Sequence, residues 1–304
     1  MDIFDSNIDI NKYKVFLAVA EFNSFSRAAE YLHISQPAIS HSIKELEDQL
    51  DTKLFIRNNK SVILTDDGEK IRFYIRSAFN TISLGEKRLK EDDSDLNGVI
   101  RIGMYTHISV LMLPSVIKKF KEKYPKAKFS IYATSNMEML EKLRNNELDF
   151  VVLQYPIFTN EKNIKEEILC KLETCFYSGK KYYDLYLNKN KTISEIPIVL
   201  PTRGFPDINK LEETLKNNNI LITHDFTSYN TALSKSLVQN DLAIGWGLKK
   251  CIEEELKNNE LYELNVDFDL PLLMFSIAYD EKVINKTTKE FIKLFKEEMK
   301  KISK

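Results

Sequence analysis

The chain has 304 residues, 43% of them hydrophobic and 29% charged, with 44 Lys and Arg against 45 Asp and Glu for a formal net charge of −1. That length suits one small domain plus a larger, two-lobed one. Near-neutral charge excludes nucleic-acid binding by bulk electrostatics, no apolar run reaches the ~18 residues of a membrane span, and three cysteines are too few and odd in number for a disulfide framework. The opening segment MDIFDSNIDI is acidic and lacks the apolar stretch of a secretory signal, which predicts a cytoplasmic protein.

Residues 24–68, SFSRAAEYLHISQPAISHSIKELEDQLDTKLFIRNNKSVILTDDG, predict helix, tight turn, second helix and a short hairpin. Ser26 is placed to cap the first helix, whose inner face is Ala28, Ala29 and Leu32. A turn around His33 and Ile34 follows. Ser35 can cap the second helix, with Pro37 in its first turn, where a missing N–H costs little. There Ile39, Ile43, Leu46 and Leu50 recur at spacings of three and four, while Gln36, Ser40 and Lys44 share the opposite face with His41 beside them. One face suits a core and the other suits hydrogen bonding in a DNA major groove. This is a winged helix-turn-helix.

The run SQPAISHSIKELEDQLDTKLFIR followed by LTDDG resembles the DNA-binding domain of the LysR-type transcriptional regulators, with the tight match confined to about the first quarter of the chain. Asp51 departs from that pattern, standing where a small turn residue is usual. The resemblance implies that Ser35, Gln36, Pro37, Ser40, His41 and Lys44 meet duplex DNA of a promoter operator, with Arg57, Asn59 and Lys60 on the wing. Residues 1–66 hold seven Lys and Arg against ten Asp and Glu, so phosphate attraction must come from local placement and from two such domains acting together.

Residues 66–91 carry Ile71, Ile75, Ala78, Ile82, Gly85 and Leu89 at alternating spacings of four and three, a heptad seam on a long helix. A seam this narrow predicts pairing with a second copy or packing on its own domain; the resemblance favours a linker helix that dimerises two winged domains. The run EDDSDLNG (91–98) breaks that helix. The expected organisation is a winged domain over 1–66, linker helix and hinge over 67–97, and an effector domain over 98–304.

From Val99 onward strands and helices alternate, VIRIGMY, a helix, KFSIYAT, a helix and LDFVVL, and the grammar repeats over IPIVLP, a helix, ILITHDF, a helix and LAIGW. This predicts α/β lobes built on parallel sheets. Lobe I takes 98–168 plus 271–304 and lobe II 169–270. The arrangement resembles the LysR effector domain, itself similar to a type II periplasmic binding protein. Such a domain holds a ligand in a cleft at strand ends and helix starts, whose free N–H groups suit a carboxylate. The candidates are Thr106, His107, Ser135 and Asn136 from one lobe and Thr202, Arg203, Thr227 and Ser228 from the other. Trp246, Phe205 and Tyr229 could wall the cleft. Each Ser, Thr or Asn is equally an ordinary helix cap; their convergence is the signal.

Four histidines without metal-ligand spacing and eight glycines without a phosphate-binding loop predict no metal, no cofactor and no enzyme. The expected protein is a regulator controlled by a small anionic metabolite, acting as a homodimer or homotetramer. The alternative is a ligand-independent regulator whose C-terminal domain serves oligomerisation, or a redox-responsive one using Cys170 and Cys175. An enzyme or solute-binding protein is a remoter class.

Overall fold

The computed structural model of the protein describes residues 9–58, 61–90, 98–157, 163–189, 191–202, 206–222, 224–228 and 230–302. Contacts divide the chain into an N-terminal unit, residues 1–92 with the short segment 144–147, and a C-terminal unit holding the remainder.

In the N-terminal unit, α1 (Ile10–Phe22) starts at Asp9, whose carboxylate accepts the Asn11 N–H at 2.9 Å. The sequence reading had not marked this helix, yet it supplies Phe16 and Val19 to the core. α2 (Phe25–Leu32) is capped by Ser24, which accepts the Arg27 N–H at 3.3 Å. Ser26 was the expected cap; it lies one position inside the helix, and its hydroxyl donates to Gln36 Oε1 at 3.1 Å. The turn closes at His33 with φ 56°. α3 (Gln36–Leu50) begins at Ser35, whose hydroxyl accepts the Ala38 N–H. Ile39, Ile43 and Leu46 are fully buried and Leu50 is half-buried.

Glu47 also lies on the buried face of α3. Its carboxylate accepts the N–H groups of Leu54 at 2.9 Å and Phe55 at 3.3 Å and pairs with Lys53 Nζ at 2.8 Å. This fastens the end of α3 to the hairpin formed by β1 (Phe55–Asn58) and β2 (Ser61–Leu64), antiparallel with Phe55 opposite Leu64. Thr65 then bridges to α4 (Asp66–Lys90): its hydroxyl donates to the Lys53 carbonyl at 2.7 Å and accepts the Gly68 N–H at 2.9 Å. A Cβ on Gly68 would stand 2.2 Å from the Leu54 carbonyl oxygen, which explains the glycine of LTDDG.

The heptad seam of α4 divides between two faces. Ile75 is buried and Ile71 half-buried in the core of the N-terminal unit, joined there by Phe79. They are therefore core residues rather than a dimer seam. Ala78, Ile82 and Gly85 remain exposed, with Tyr74 beside them. The side chain of Leu89 lies outside the described residues.

The C-terminal unit has two five-stranded sheets. The first comprises β3 (Val99–Met104), β4 (Lys128–Tyr132), β5 (Phe150–Gln154), β6 (Ile164–Leu172) and β12 (Leu273–Asp280), in the order β4-β3-β5-β12-β6. It packs α5 (Thr106–Lys123), α6 (Asn136–Arg144) and α11 (Lys286–Ile302). Phe120, Phe150, Phe291 and Phe295 meet in that core, Phe120 and Phe291 edge to face at 5.2 Å, each burial contributing about 1.5–3 kcal/mol. The second sheet is β11-β7-β10-β8-β9, from β7 (Thr174–Ser178), β8 (Ile198–Leu200), β9 (His224–Thr227), β10 (Ile244–Leu248) and β11 (Tyr262–Leu264). Around it lie α7 (Lys180–Leu187), α8 (Pro206–Asn217), α9 (Thr231–Gln239) and α10 (Glu253–Lys257).

Both sheets are mixed, which corrects the all-parallel expectation. β3 runs parallel to β4 and β5, and β8 parallel to β9 and β10, but β12, β6, β7 and β11 pair antiparallel. The first lobe ends later than expected: β6 stays in the first sheet through Leu172, and the crossover is at Glu173 rather than at 168. β6 reads IKEEILCKL, an edge strand with one wet face, so it carries no continuous apolar run to announce it.

Candidate functional site

The N-terminal unit presents an exposed polar surface on α3. Ser35, Gln36, Pro37, His41 and Lys44 are exposed and Ser40 is half-buried; His41 lies across the helix from the buried Ile39, Ile43 and Leu46, with Lys44 and Ser40 on its flank and Gln36 in the first turn. The hydrogen bond from Ser26 occupies Gln36 Oε1 and leaves the amide hydrogens of Gln36 without an acceptor among the described residues. His41 Nε2 lies 3.4 Å from Glu45 one turn on. Arg57 is on β1 with its side chain outside the described residues, as are Asn59 and Lys60 entirely.

The C-terminal unit holds a cavity of about 470 Å³ between its two sheets. Of the expected residues, Thr106, His107, Ser135 and Ser228 line it. Asn136, Thr202 and Thr227 do not, and Arg203, Phe205 and Tyr229 lie outside the described residues. Asn136 instead accepts the hydroxyl hydrogen of Tyr105. Thr227 ends β9 and Thr202 follows β8, both short of the wall. The expected cap of α9 at Thr227 and Ser228 is displaced to Asn230, whose Oδ1 accepts the N–H groups of Ala232 and Leu233 at 3.0 and 3.2 Å. Ser228 hydrogen-bonds the Asn230 N–H at 3.0 Å.

Helix starts do converge here. α5 begins at Tyr105 without a side-chain cap, and its first backbone acceptor serves Ser109, so the N–H groups of Thr106, His107 and Ile108 have no protein acceptor among the described residues. α6 begins beside Ser135, whose hydroxyl accepts the Glu138 N–H at 3.3 Å. From the other lobe come Asp207 in the first turn of α8 and Thr231 in that of α9.

The sequence reading missed Tyr105, Thr134, Tyr177, Asp207, Ser234 and Cys251 as lining residues, and Trp246 was expected. Asp207 was recoverable by the same helix-start logic. Tyr177 was not, because it sits on the antiparallel β7, and its ring occupies the place a Cβ on Gly245 would take, 2.4 Å from its Cζ. The Tyr177 hydroxyl, the Thr106 hydroxyl and the Trp246 Nε1–H all lack a protein partner among the described residues.

Burial dominates the electrostatics. It pushes the His107 pKa down to about 4, so the ring is neutral at pH 7, stacked on Tyr105 at 5.8 Å. It raises Asp207, with its own backbone N–H and Lys210 only partly opposing. It pushes the thiols of Cys170 and Cys175 up to about 12 and that of Cys251 to about 11. Among the described residues no group of three His, Cys, Asp or Glu is placed to hold a metal ion, and no helix is long and apolar enough to cross a membrane.

A family model described as a bacterial regulatory helix-turn-helix protein, lysR family, matches residues 10–69, and a LysR substrate binding domain model matches residues 93–300. The uncharacterized HTH-type transcriptional regulator YvbU of Bacillus subtilis is 35% identical over 148 residues, 48% of this chain and 51% of its own. The chain thus spans about half the length of that relative. The HTH-type transcriptional activator IlvY of Haemophilus influenzae is 23% identical over 271 residues, 86% of this chain and 90% of its own. The solved structure of a full-length OxyR variant from Pseudomonas aeruginosa shares the fold with a TM-score of 0.69 at 18% identity, covering 97% and 95% of the two chains.

Proposed function

The chain belongs to the LysR family of bacterial regulatory helix-turn-helix proteins, and we propose on that premise that it is a sequence-specific DNA-binding transcription regulator controlled by a small metabolite. The observation that carries this reading is α3, with Ile39, Ile43 and Leu46 sealed in a core and Gln36, His41 and Lys44 exposed on the other side. Gln36 and Ser40 read base edges, while Lys44 and the wing residues Arg57, Asn59 and Lys60 contact phosphates. Ser35 and Pro37 set the start of the helix against the groove. The protein acts in the cytoplasm as a dimer or tetramer, two copies pairing along the exposed stripe of α4 at Ala78 and Ile82.

The effector occupies the 470 Å³ cavity. A carboxylate on it is met by the unpaired N–H groups at the start of α5 and by the hydroxyls of Thr106, Ser135 and Ser228. A ligand-independent domain would satisfy those polar groups internally, and here Thr106, Tyr177 and Trp246 have no side-chain partner among the described residues. No observation favours the redox alternative: Cys170 and Cys175 are buried, with protonated thiols, on strands of different sheets.

An electrophoretic shift with DNA from upstream of the protein's own gene tests the DNA reading. Gln36→Ala with Ser40→Ala should erase the preference for that DNA over a scrambled duplex. Lys44→Ala should weaken binding to both and lower the salt slope by about one. Unchanged binding in both variants would remove α3 from the interface.

A further inference from the structure

Asp207 is the one carboxylate lining the cavity, and no cationic side chain lines it among the described residues. Its carboxylate has no hydrogen-bond or ion-pair partner there beyond its own backbone N–H. An acidic residue in the first turn of a helix is ordinary when it faces water, because the helix dipole favours it. Asp207 is instead turned against a largely apolar enclosure that includes Val199, Trp246, Leu248 and Ile252. A carboxylate taken out of water without a cation or several donors is costly to keep ionised, and its pKa rises accordingly. Other cavity groups without a partner among the described residues, the α5 N–H groups, the Thr106, Tyr177, Thr231 and Ser234 hydroxyls and the Trp246 Nε1–H, can donate, and the neutral His107 ring adds one donor and one acceptor nitrogen. The wall therefore offers donors from both lobes and, among the described residues, a single anionic acceptor.

We propose that the effector carries an ammonium group held by Asp207 as well as a carboxylate held at the start of α5, which makes it an amphoteric molecule of the amino-acid type with an apolar body. This rests on the effector reading above. A simple carboxylic acid would satisfy the donors but bring its own negative charge into the same enclosure as Asp207. The ammonium supplies a counter-charge beside Asp207 in a site lined mostly by apolar groups, and those apolar walls take the side chain.

Thermal unfolding of the full chain tests this, with the twenty amino acids and matched partners: L-leucine, 4-methylpentanoate and 3-methylbutylamine; L-phenylalanine, 3-phenylpropanoate and 2-phenylethylamine. A ligand that binds only the folded state raises the midpoint. The expected result is a shift with at least one amino acid, at concentrations at least about tenfold lower than its deaminated partner requires. Asp207→Asn should keep the unliganded midpoint and abolish that preference. Thr106→Val should weaken the amino acid and the carboxylate but leave the amine alone. If carboxylates shift the midpoint as well as amino acids, or if Asp207→Asn keeps the preference, the ammonium site is wrong and the effector reading stands. If amines alone bind, the ammonium site stands and the carboxylate half of the earlier reading falls. If nothing in the panel shifts the midpoint, the effector reading fails and this inference with it.

Discussion

Glu47 in the N-terminal unit and Asp207 in the C-terminal unit are both carboxylates withdrawn from water, and the fold treats them in opposite ways. Burial works to raise the Glu47 pKa, but the Lys53 ammonium and the N–H groups of Leu54 and Phe55 outweigh it and hold the carboxyl below its ordinary value. Asp207 has only its own backbone N–H and the Lys210 charge to oppose burial, and it is raised. The contrast extends to their surroundings. Around Glu47 the hydroxyl of Thr65 and the amide of Gly68 are also paired. In the cavity that Asp207 lines, the side chains of Tyr177, Thr106 and Trp246 have no partner among the described residues. A polar group whose demands are met inside the protein fixes structure, and one whose demands are unmet at a cavity wall awaits something from outside.

The comparison is most easily broken by asking whether the N-terminal unit has slack. Ile75 of α4 packs in its core, whereas Ile82 two turns later is 47% exposed. Ile75→Asp places a charge where no partner exists and should destabilise the unit by on the order of 4 kcal/mol. Ile82→Asp should stay within about 0.5 kcal/mol of the parent in stability, as exposed positions do. It should nevertheless dissociate the dimer proposed along this stripe, which sedimentation would report. If Ile75→Asp melts at the parent temperature, α4 is not part of that core.

Glu47 comes next. Glu47→Gln leaves the hairpin N–H groups with a weaker acceptor and Lys53 without its charge partner, for an expected loss of about 1–3 kcal/mol. The sign of the pH dependence follows from the lowered carboxyl. Its contribution is complete at neutral pH and is lost as pH falls through the carboxylate range, so the variant and the parent should converge in acid. The matched substitution Asp207→Asn should cost nothing in the absence of ligand, and a large loss there would show that Asp207 is structural after all.

His107 gives a smaller effect on the cavity side. Its pKa in the fold is about 4 against an ordinary 6.5, so the unfolded chain binds a proton first as pH falls. His107 therefore contributes stability above pH 6.5 that declines toward pH 4. His107→Gln should flatten that part of the stability profile; equal slopes in parent and variant would place the ring in water.

How much of this was visible in the sequence follows the range over which each feature is built. The two helices at 25–50, the wing and the polar face of α3 are specified by residues within one short segment, and their spacings name them. Even there the cap of α2 slipped from Ser26 to Ser24, since two serines flank one helix start and spacing alone does not choose. Glu47 is not announced by the sequence because two of its partners, the Leu54 and Phe55 amides, are backbone groups that no side-chain pattern displays. The cavity draws on both lobes. Thr106, Ser135 and Ser228 could be found because strand ends and helix starts announce themselves locally. Tyr177 and Trp246 line it from β7 and β10, whose antiparallel pairing joins residues about seventy positions apart. The parallel expectation failed for the same reason: β12 returns from the other lobe, and apolar content says nothing about the direction in which a strand enters a sheet.

Asp51 provides the smallest test, and it bears on how tightly the paired region is made. The residue ends α3 with φ 48°, in the left-handed region that closes helices, and its N–H reaches the Glu47 carbonyl. Glycine adopts that conformation without a Cβ penalty, and Asp tolerates it less well. Against this, glycine gives the unfolded chain more freedom to lose on folding. The two effects oppose, and the relief of the Cβ contact is the larger where φ is this positive. Asp51→Gly should therefore raise stability by about 0.5 kcal/mol, seen as a slightly higher midpoint, with DNA affinity unchanged because the face of α3 proposed to read bases lies elsewhere. A lower midpoint would mean that the Asp51 side chain contributes to the turn in a way its backbone geometry conceals, and the αL closure of α3 would then depend on that side chain rather than on conformation alone.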